Sequence, residues 1–136
     1  MKLVFHRRTD LALSALRALA DPSGPHPGSI LADRIGTSVS FLPQIMAPLI
    51  QAGWVVSERG PGGGYRLTPS AADARLLDVM EATESRTEPA QCVMRAGPCP
   101  GESPCEIHPV WQDAQRVLTQ GFASIRVLPH EKGIQT

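Results

Sequence analysis

Apolar residues recur along this chain in short runs whose spacing switches from helical to strand-like and back. Leu11, Leu13, Ala15, Leu16, Leu19 and Ala20 are spaced to place one apolar stripe on a first helix. Asp21-Pro22-Ser23-Gly24-Pro25 stops it, since prolines and glycine cannot continue the hydrogen-bond ladder, and His26-Pro27-Gly28 extends the turn. A short second helix is predicted from Ser29 to Ile35, with Ser29 as N-cap and Ile30, Leu31 and Ile35 facing inward. Gly36 then stands where a left-handed residue ends a helix. A third helix starts near Ser38 or Ser40, carries Leu42, Ile45, Met46, Leu49 and Ile50, and closes at Gly53. With Ser40 as cap, Pro43 falls in the first turn, where its missing N–H costs nothing. Pro48 has no such excuse and is expected to kink or shorten the helix.

Trp54-Val55-Val56-Ser57-Glu58-Arg59 is rich in β-formers, Gly60-Pro61-Gly62-Gly63-Gly64 is a turn cluster, and Tyr65-Arg66-Leu67-Thr68 reads as a second strand. A lone hairpin is marginal and must lean on the helices. Helix, helix–turn–helix and hairpin in that order predict a winged helix. Leu76, Leu77, Val79, Met80 and Ala82 mark a fourth helix. Residues 84–109 are polar, rich in Pro and Gly, and irregular. From Val110 the pattern is helical again through Trp111, Ala114, Val117, Leu118, Phe122 and Ile125, on a helix with nothing nearby left to pack on. Such a helix often pairs with its copy, which predicts a homodimer. The tail from Val127 to Thr136 is expected to fray. The fold class is therefore mainly α with a small two-stranded β wing. A winged helix-turn-helix domain spans 1–83, a cysteine-rich loop 84–109, and a long C-terminal dimerisation helix with its tail 110–136.

Charge changes this picture slightly. The net charge is zero, but residues 1–70 hold seven Lys/Arg against four Asp/Glu, whereas residues 71–136 hold six against nine. A basic working face on the first half follows. No stretch reaches the roughly 18 apolar residues that span a bilayer, and Met1 to Arg8 lacks an apolar signal core. The expected location is cytoplasmic, with no membrane partner. An enzyme is not expected. There is no Ser-His-Asp pattern and no paired carboxylates, and Gly60 to Gly64 lies in a hairpin rather than at a strand-to-helix junction.

In the first half, the polar residues near the start of the third helix are Ser38, Ser40 and Gln44, placed where such a helix reads base edges of double-stranded DNA in the major groove. Arg59 precedes the glycine tip, where Gly60 and Gly63 let the backbone approach phosphates and an arginine can probe the minor groove. Arg66, with Arg7 and Arg8, is positioned to neutralise phosphates. The plain alternative is capping serines, a solvated glutamine and a generic tight hairpin. The three cysteines, Cys92, Cys99 and Cys105, lie in one polar loop, and His108 follows the last by three residues. Soft thiolates and an imidazole suit an iron–sulfur cluster or zinc. Inert core residues, a metal-free thiol redox switch and a structural zinc site compete with the cluster. Neither gap between cysteines has the short spacing zinc favours.

Together these features resemble the Rrf2 family of bacterial regulators, which includes isc-operon and nitric-oxide-sensing branches. The resemblance rests on Arg8-Thr9-Asp10-Leu11-Ala12-Leu13, on Ala52-Gly53-Trp54-Val55, on the wing Arg59-Gly60-Pro61-Gly62-Gly63-Gly64-Tyr65, on Leu76-Leu77-Asp78-Val79, and on the cysteine loop. It implies a homodimer joined through the long helices, binding a partly palindromic operator under control of a [2Fe–2S] or [4Fe–4S] cluster on Cys92, Cys99 and Cys105. The fourth ligand it implies is His108, as in the isc branch, or Asp10 of the partner subunit, as in the nitric-oxide branch; His108 is favoured because it lies on the same loop. It also implies base readout at Ser38, Ser40 and Gln44, with Arg59 in the minor groove. Pro43 departs from the isc pattern, which has a polar reading residue there, and the gap from Cys92 to Cys99 is one residue longer.

Overall fold

The computed structural model describes residues 4–84, Cys92, Met94 and residues 105–128. Five helices, α1 (Arg7–Leu19), α2 (Gly28–Ile35), α3 (Leu42–Gln51), α4 (Leu76–Thr83) and α5 (His108–Ser124), surround one hairpin, β1 (Val55–Glu58) and β2 (Gly64–Leu67). The apolar stripes of α1 to α4 converge on one core. Leu16, Leu31, Leu42, Ile45, Met46, Leu49, Val55 and Val79 are fully buried there. At roughly 1.5–3 kcal/mol for each large aliphatic residue removed from water, this cluster is the main stabilising term of the winged half. The one buried polar pair at its edge is satisfied: the Thr9 and Thr83 hydroxyls lie 2.8 Å apart, Thr83 donates to the Val79 carbonyl, and Thr9 donates to Glu84.

Local chemistry accounts for two of the boundaries. Gly36 adopts φ +78° and ends α2. The Arg75 N–H donates to the Asp78 carboxylate at 3.0 Å and opens α4. Two expectations need correction. The N-cap of α2 is Pro27 and no side chain caps it, so Ser29 is simply its second residue. Of the kink or shortening expected at Pro48, the shortening does not occur: α3 runs on to Gln51, and the Pro48 carbonyl accepts from Ala52 at 3.0 Å. The burial of Leu42, Ile45, Met46 and Leu49 on both sides of Pro48 outweighs the one helix hydrogen bond that its missing N–H forfeits.

The wing has more support than a two-stranded hairpin. Val55 pairs with Leu67 and Glu58 with Gly64 in an antiparallel register. On the other side of β2, buried His26 exchanges both backbone hydrogen bonds with Tyr65, at 2.9 and 2.8 Å. The segment before α2 is therefore a short third rung of the sheet and not merely an extended turn. That pairing explains Gly64, where an added Cβ would stand 2.1 Å from the His26 carbonyl oxygen. At Gly63 it would stand 2.3 Å from the carbonyl oxygen of Glu58. The glycine run is thus demanded by the wing's own packing.

Nor is α5 without a neighbour. It lies against α4, and the Phe122 ring packs against Phe5 in a tilted arrangement with ring centroids 5.9 Å apart. Beyond it the chain turns back. The Leu76 N–H donates to Ile125 and the Val127 N–H to Ala74, and Val127 is buried in the shared core with Leu128 packed beside it. The expectation of fraying therefore fails for these two residues; the rest of the tail lies outside the described residues. No helix among the described residues is long and apolar enough to cross a membrane.

Candidate nucleic-acid interface and metal centre

The candidate reading turn before α3 is built by Ser38. Its hydroxyl accepts from the Phe41 N–H at 3.1 Å and lies 3.2 Å from the Ser40 hydroxyl. Its carbonyl accepts from the Leu42 N–H at 3.1 Å, four residues on, so the chain winds helically before α3 proper begins. The N-cap of α3 is Phe41 and no side chain caps the helix, so Ser40 is not its cap; the Ser38 hydroxyl holds the turn that precedes it. Pro43 does fall in the first turn of α3. Gln44, exposed on that turn, accepts from Arg8 of α1 at 3.5 Å, a long contact that nevertheless places a cation beside the candidate base-reading residues. Ser38, Ser40, Gln44 and Arg8 therefore form one neighbourhood.

Arg59 is exposed directly after β1, and the Gly63 N–H closes the turn onto the Gly60 carbonyl at 3.0 Å. Arg66 differs from Arg59. Its guanidinium is bonded to Glu58 across the hairpin, with 55% of the Arg66 side chain still exposed. Sequence reasoning passed over Val39. This aliphatic residue, 59% exposed, sits between the two serines of the reading turn. Its signal was an apolar side chain at a position that no core stripe uses.

At the other site, the His108 N–H donates to the Cys105 carbonyl at 3.0 Å, which puts thiol and imidazole on one turn at the start of α5. Cys105 is half-buried and Cys92 buried. Among the described residues, the His108 Nδ1 is buried and has no hydrogen-bond partner. A cysteine and a histidine with an unpartnered ring nitrogen on one turn are the residue types that hold a metal, although no group of three or more such ligands comes together among the described residues. Cys99 lies outside the described residues. Asp10 lies elsewhere, exposed on α1 in a groove with Val4, Phe5, Met80, Leu118 and Phe122. Leu118 and Phe122 are ten and fourteen residues along α5 from His108, about 15–21 Å at the helical rise. Within one chain, then, Asp10 and His108 are not neighbours.

A winged helix-turn-helix with a long trailing helix is the architecture of small bacterial transcriptional regulators. The chain belongs to the Rrf2 family, described as iron-dependent transcriptional regulators, which it matches over residues 5–128. It is 36% identical over 113 residues to the HTH-type transcriptional regulator IscR of Vibrio atlanticus (strain LGP32), covering 83% of this chain and 65% of the relative. It is 37% identical over 105 residues to IscR of Cronobacter sakazakii (strain ATCC BAA-894), covering 77% and 64%. The chain thus spans just under two thirds of these curated relatives. Among solved structures, CymR, the global cysteine regulator of B. subtilis, shares the fold with a TM-score of 0.73 at 22% identity, covering 93% of this chain and 94% of that one. The T. potens IscR aligns with a TM-score of 0.71 at 25% identity, covering 93% and 85%. These relatives are regulators, not enzymes.

Proposed function

We propose that this chain is an operator-binding regulator whose hold on DNA is set by an iron–sulfur cluster on Cys92, Cys99, Cys105 and His108. The observation that carries the reading is the buried, unpartnered His108 Nδ1 one turn from Cys105, in a family described as iron-dependent. When bound, a cluster of [2Fe–2S] or [4Fe–4S] type supplies a centre whose charge and ligation change on oxidation, nitrosylation or loss. Cys105 and His108 fix the start of α5 when they are held. The end of α5 is tied through Ile125 and Val127 to residues 74–76, at the base of the winged domain. Movement of that helix therefore reaches the reading heads. Only a difference in DNA affinity between the two states can turn it into regulation.

Double-stranded DNA is taken in the major groove by Ser38, Ser40 and Gln44 and in the minor groove by Arg59. Arg8 and, at the tip, the backbone of Gly60 and Gly63 stand against phosphates. The working unit is a homodimer joined through α5. That helix has 17 residues and buries none of them within the chain, while Val110 and Val117 are 69% and 63% exposed. Asp10 of the partner subunit is the alternative fourth ligand.

Anaerobic reconstitution with iron and sulfide, followed by absorption and metal analysis, tests the reading. Native protein should be coloured, and His108→Ala should perturb the cluster more than Asp10→Ala. Equal effects, or a larger Asp10 effect, would reverse the ligand assignment. A colourless protein that carries zinc, or one whose operator affinity ignores replacement of all three cysteines by serine, would end the sensing account.

A further inference from the structure

The reading turn and α3 lie inside a long uncharged stretch. Between Arg34 and Glu58 there is no Asp, Glu, Lys, Arg or His. The strongest base-specific pairings available to a recognition helix, arginine or lysine on guanine and carboxylate on cytosine, are therefore absent from this one. What its outer surface offers instead is small and partly apolar. Val39 is 59% exposed, and Pro43 and Ala47 are exposed as well. None of the three serves the core, whose α3 contribution is Leu42, Ile45, Met46 and Leu49.

Their arrangement is ordered. Because the Leu42 N–H bonds to the Ser38 carbonyl, residues 39–41 already follow the helical path. Val39 and Pro43 are then one turn apart along one edge of the outer surface, and Ser40 and Gln44 are one turn apart beside them. An apolar row thus runs alongside a hydrogen-bonding row. In the major groove only one base-edge feature is apolar, the C5-methyl group of thymine.

We propose that Val39 and Pro43 recognise thymine through this methyl group. The operator would then be read at these positions by methyl contact and shape, with hydrogen bonding left to Ser40 and Gln44. The proposal rests on the reading of the chain as an operator-binding protein. It makes the half-site specificity of this chain its own, because the Pro43 side chain has no polar atom with which to read a base.

The test uses the full chain and duplexes selected from a random pool against excess non-specific DNA. Each thymine of a selected operator is then replaced singly by deoxyuridine, which removes the methyl and leaves every hydrogen-bonding group in place. One or two positions per half-site should lose affinity by about fourfold, the worth of one buried methyl-sized group. In Val39→Ser or Pro43→Ser, which alter exposed side chains and should melt like the native protein, at least one of these positions should become indifferent to the methyl. If a sequence is selected but no deoxyuridine substitution weakens it, the methyl-reading proposal is overturned while operator binding stands. It is equally overturned if the loss persists undiminished in both variants. If no sequence is enriched over bulk DNA, the operator-binding reading fails and takes this proposal with it.

Discussion

The winged half and the α5 half of this chain are finished to different degrees. In the first, the core side chains are close to fully buried, the polar pair Thr9–Thr83 is satisfied, and each tight glycine has a neighbour that explains it. In the second, a 17-residue helix buries none of its residues and displays Val110 and Val117. Three of its polar atoms, the His108 Nδ1, Trp111 Nε1 and Gln115 Oε1, are buried without partners among the described residues. Those three residues are spaced by three and four, so they share one side of α5. A domain that closes on itself fits the DNA-reading head proposed above. A helix that leaves apolar surface exposed and polar atoms buried without partners among the described residues fits the second copy and the metal centre proposed above.

The contrast predicts opposite outcomes for the same kind of substitution. Leu16→Ala, at a fully buried position of α1, should lower the unfolding free energy by about 2–5 kcal/mol in urea denaturation. Gly64→Ala should cost about 1–3 kcal/mol, because its φ of +147° disfavours a side chain and the His26 carbonyl blocks the Cβ. The loss should be accompanied by weakened wing pairing, read as faster exchange of the Tyr65 amide. If Gly64→Ala melts like the native protein, the third rung at His26 contributes nothing and the wing is the simple hairpin expected from sequence.

Val117→Glu should do almost nothing to the fold of a single chain, within about 0.5 kcal/mol, since the side chain is 63% exposed. Its effect should fall on assembly. Sedimentation at micromolar concentration should show native protein as a dimer and the variant shifted toward monomer. A native protein that sediments as a monomer, or a variant that remains fully dimeric, would remove α5 as the joining surface.

The same division governs what could be read in the sequence. α1, α2, α3, the hairpin and α4 were legible because each announces itself within a dozen residues, by periodicity and by a stop signal such as Gly36 after α2. What was missed is non-local. The His26–Tyr65 rung joins positions 39 residues apart, and the return of Val127 onto Ala74 spans 53. Neither leaves a periodic trace, and Pro25 and Pro27 beside His26 argued locally for a plain turn. Pro48 misled as to the length of α3 for a related reason. A local rule set against proline in a helix was overridden by four buried contacts that only the tertiary fold supplies. At the candidate sites, residue types were legible and pairings were not. Nothing local reveals that Arg8 meets Gln44, that Arg66 is held by Glu58, or that Asp10 sits far along α5 from His108.

The Glu58–Arg66 pair supplies the finest test of how the winged half works. It lies at the surface, with 55% of Arg66 and 38% of Glu58 exposed, so its removal should change stability by no more than about 1 kcal/mol. On DNA its effect should be larger in kind if not in size. While Glu58 holds the guanidinium, phosphate must compete with a carboxylate for Arg66. Glu58→Gln removes that competitor and one negative charge from the wing, so affinity for the operator and for unrelated DNA should rise together. The salt dependence should steepen by about one unit of slope if Arg66 gains a phosphate contact. Arg66→Met in the same background should abolish the gain. If Glu58→Gln leaves the salt slope unchanged, Arg66 belongs to the architecture of the hairpin, and the phosphate-facing cations of the wing reduce to Arg59.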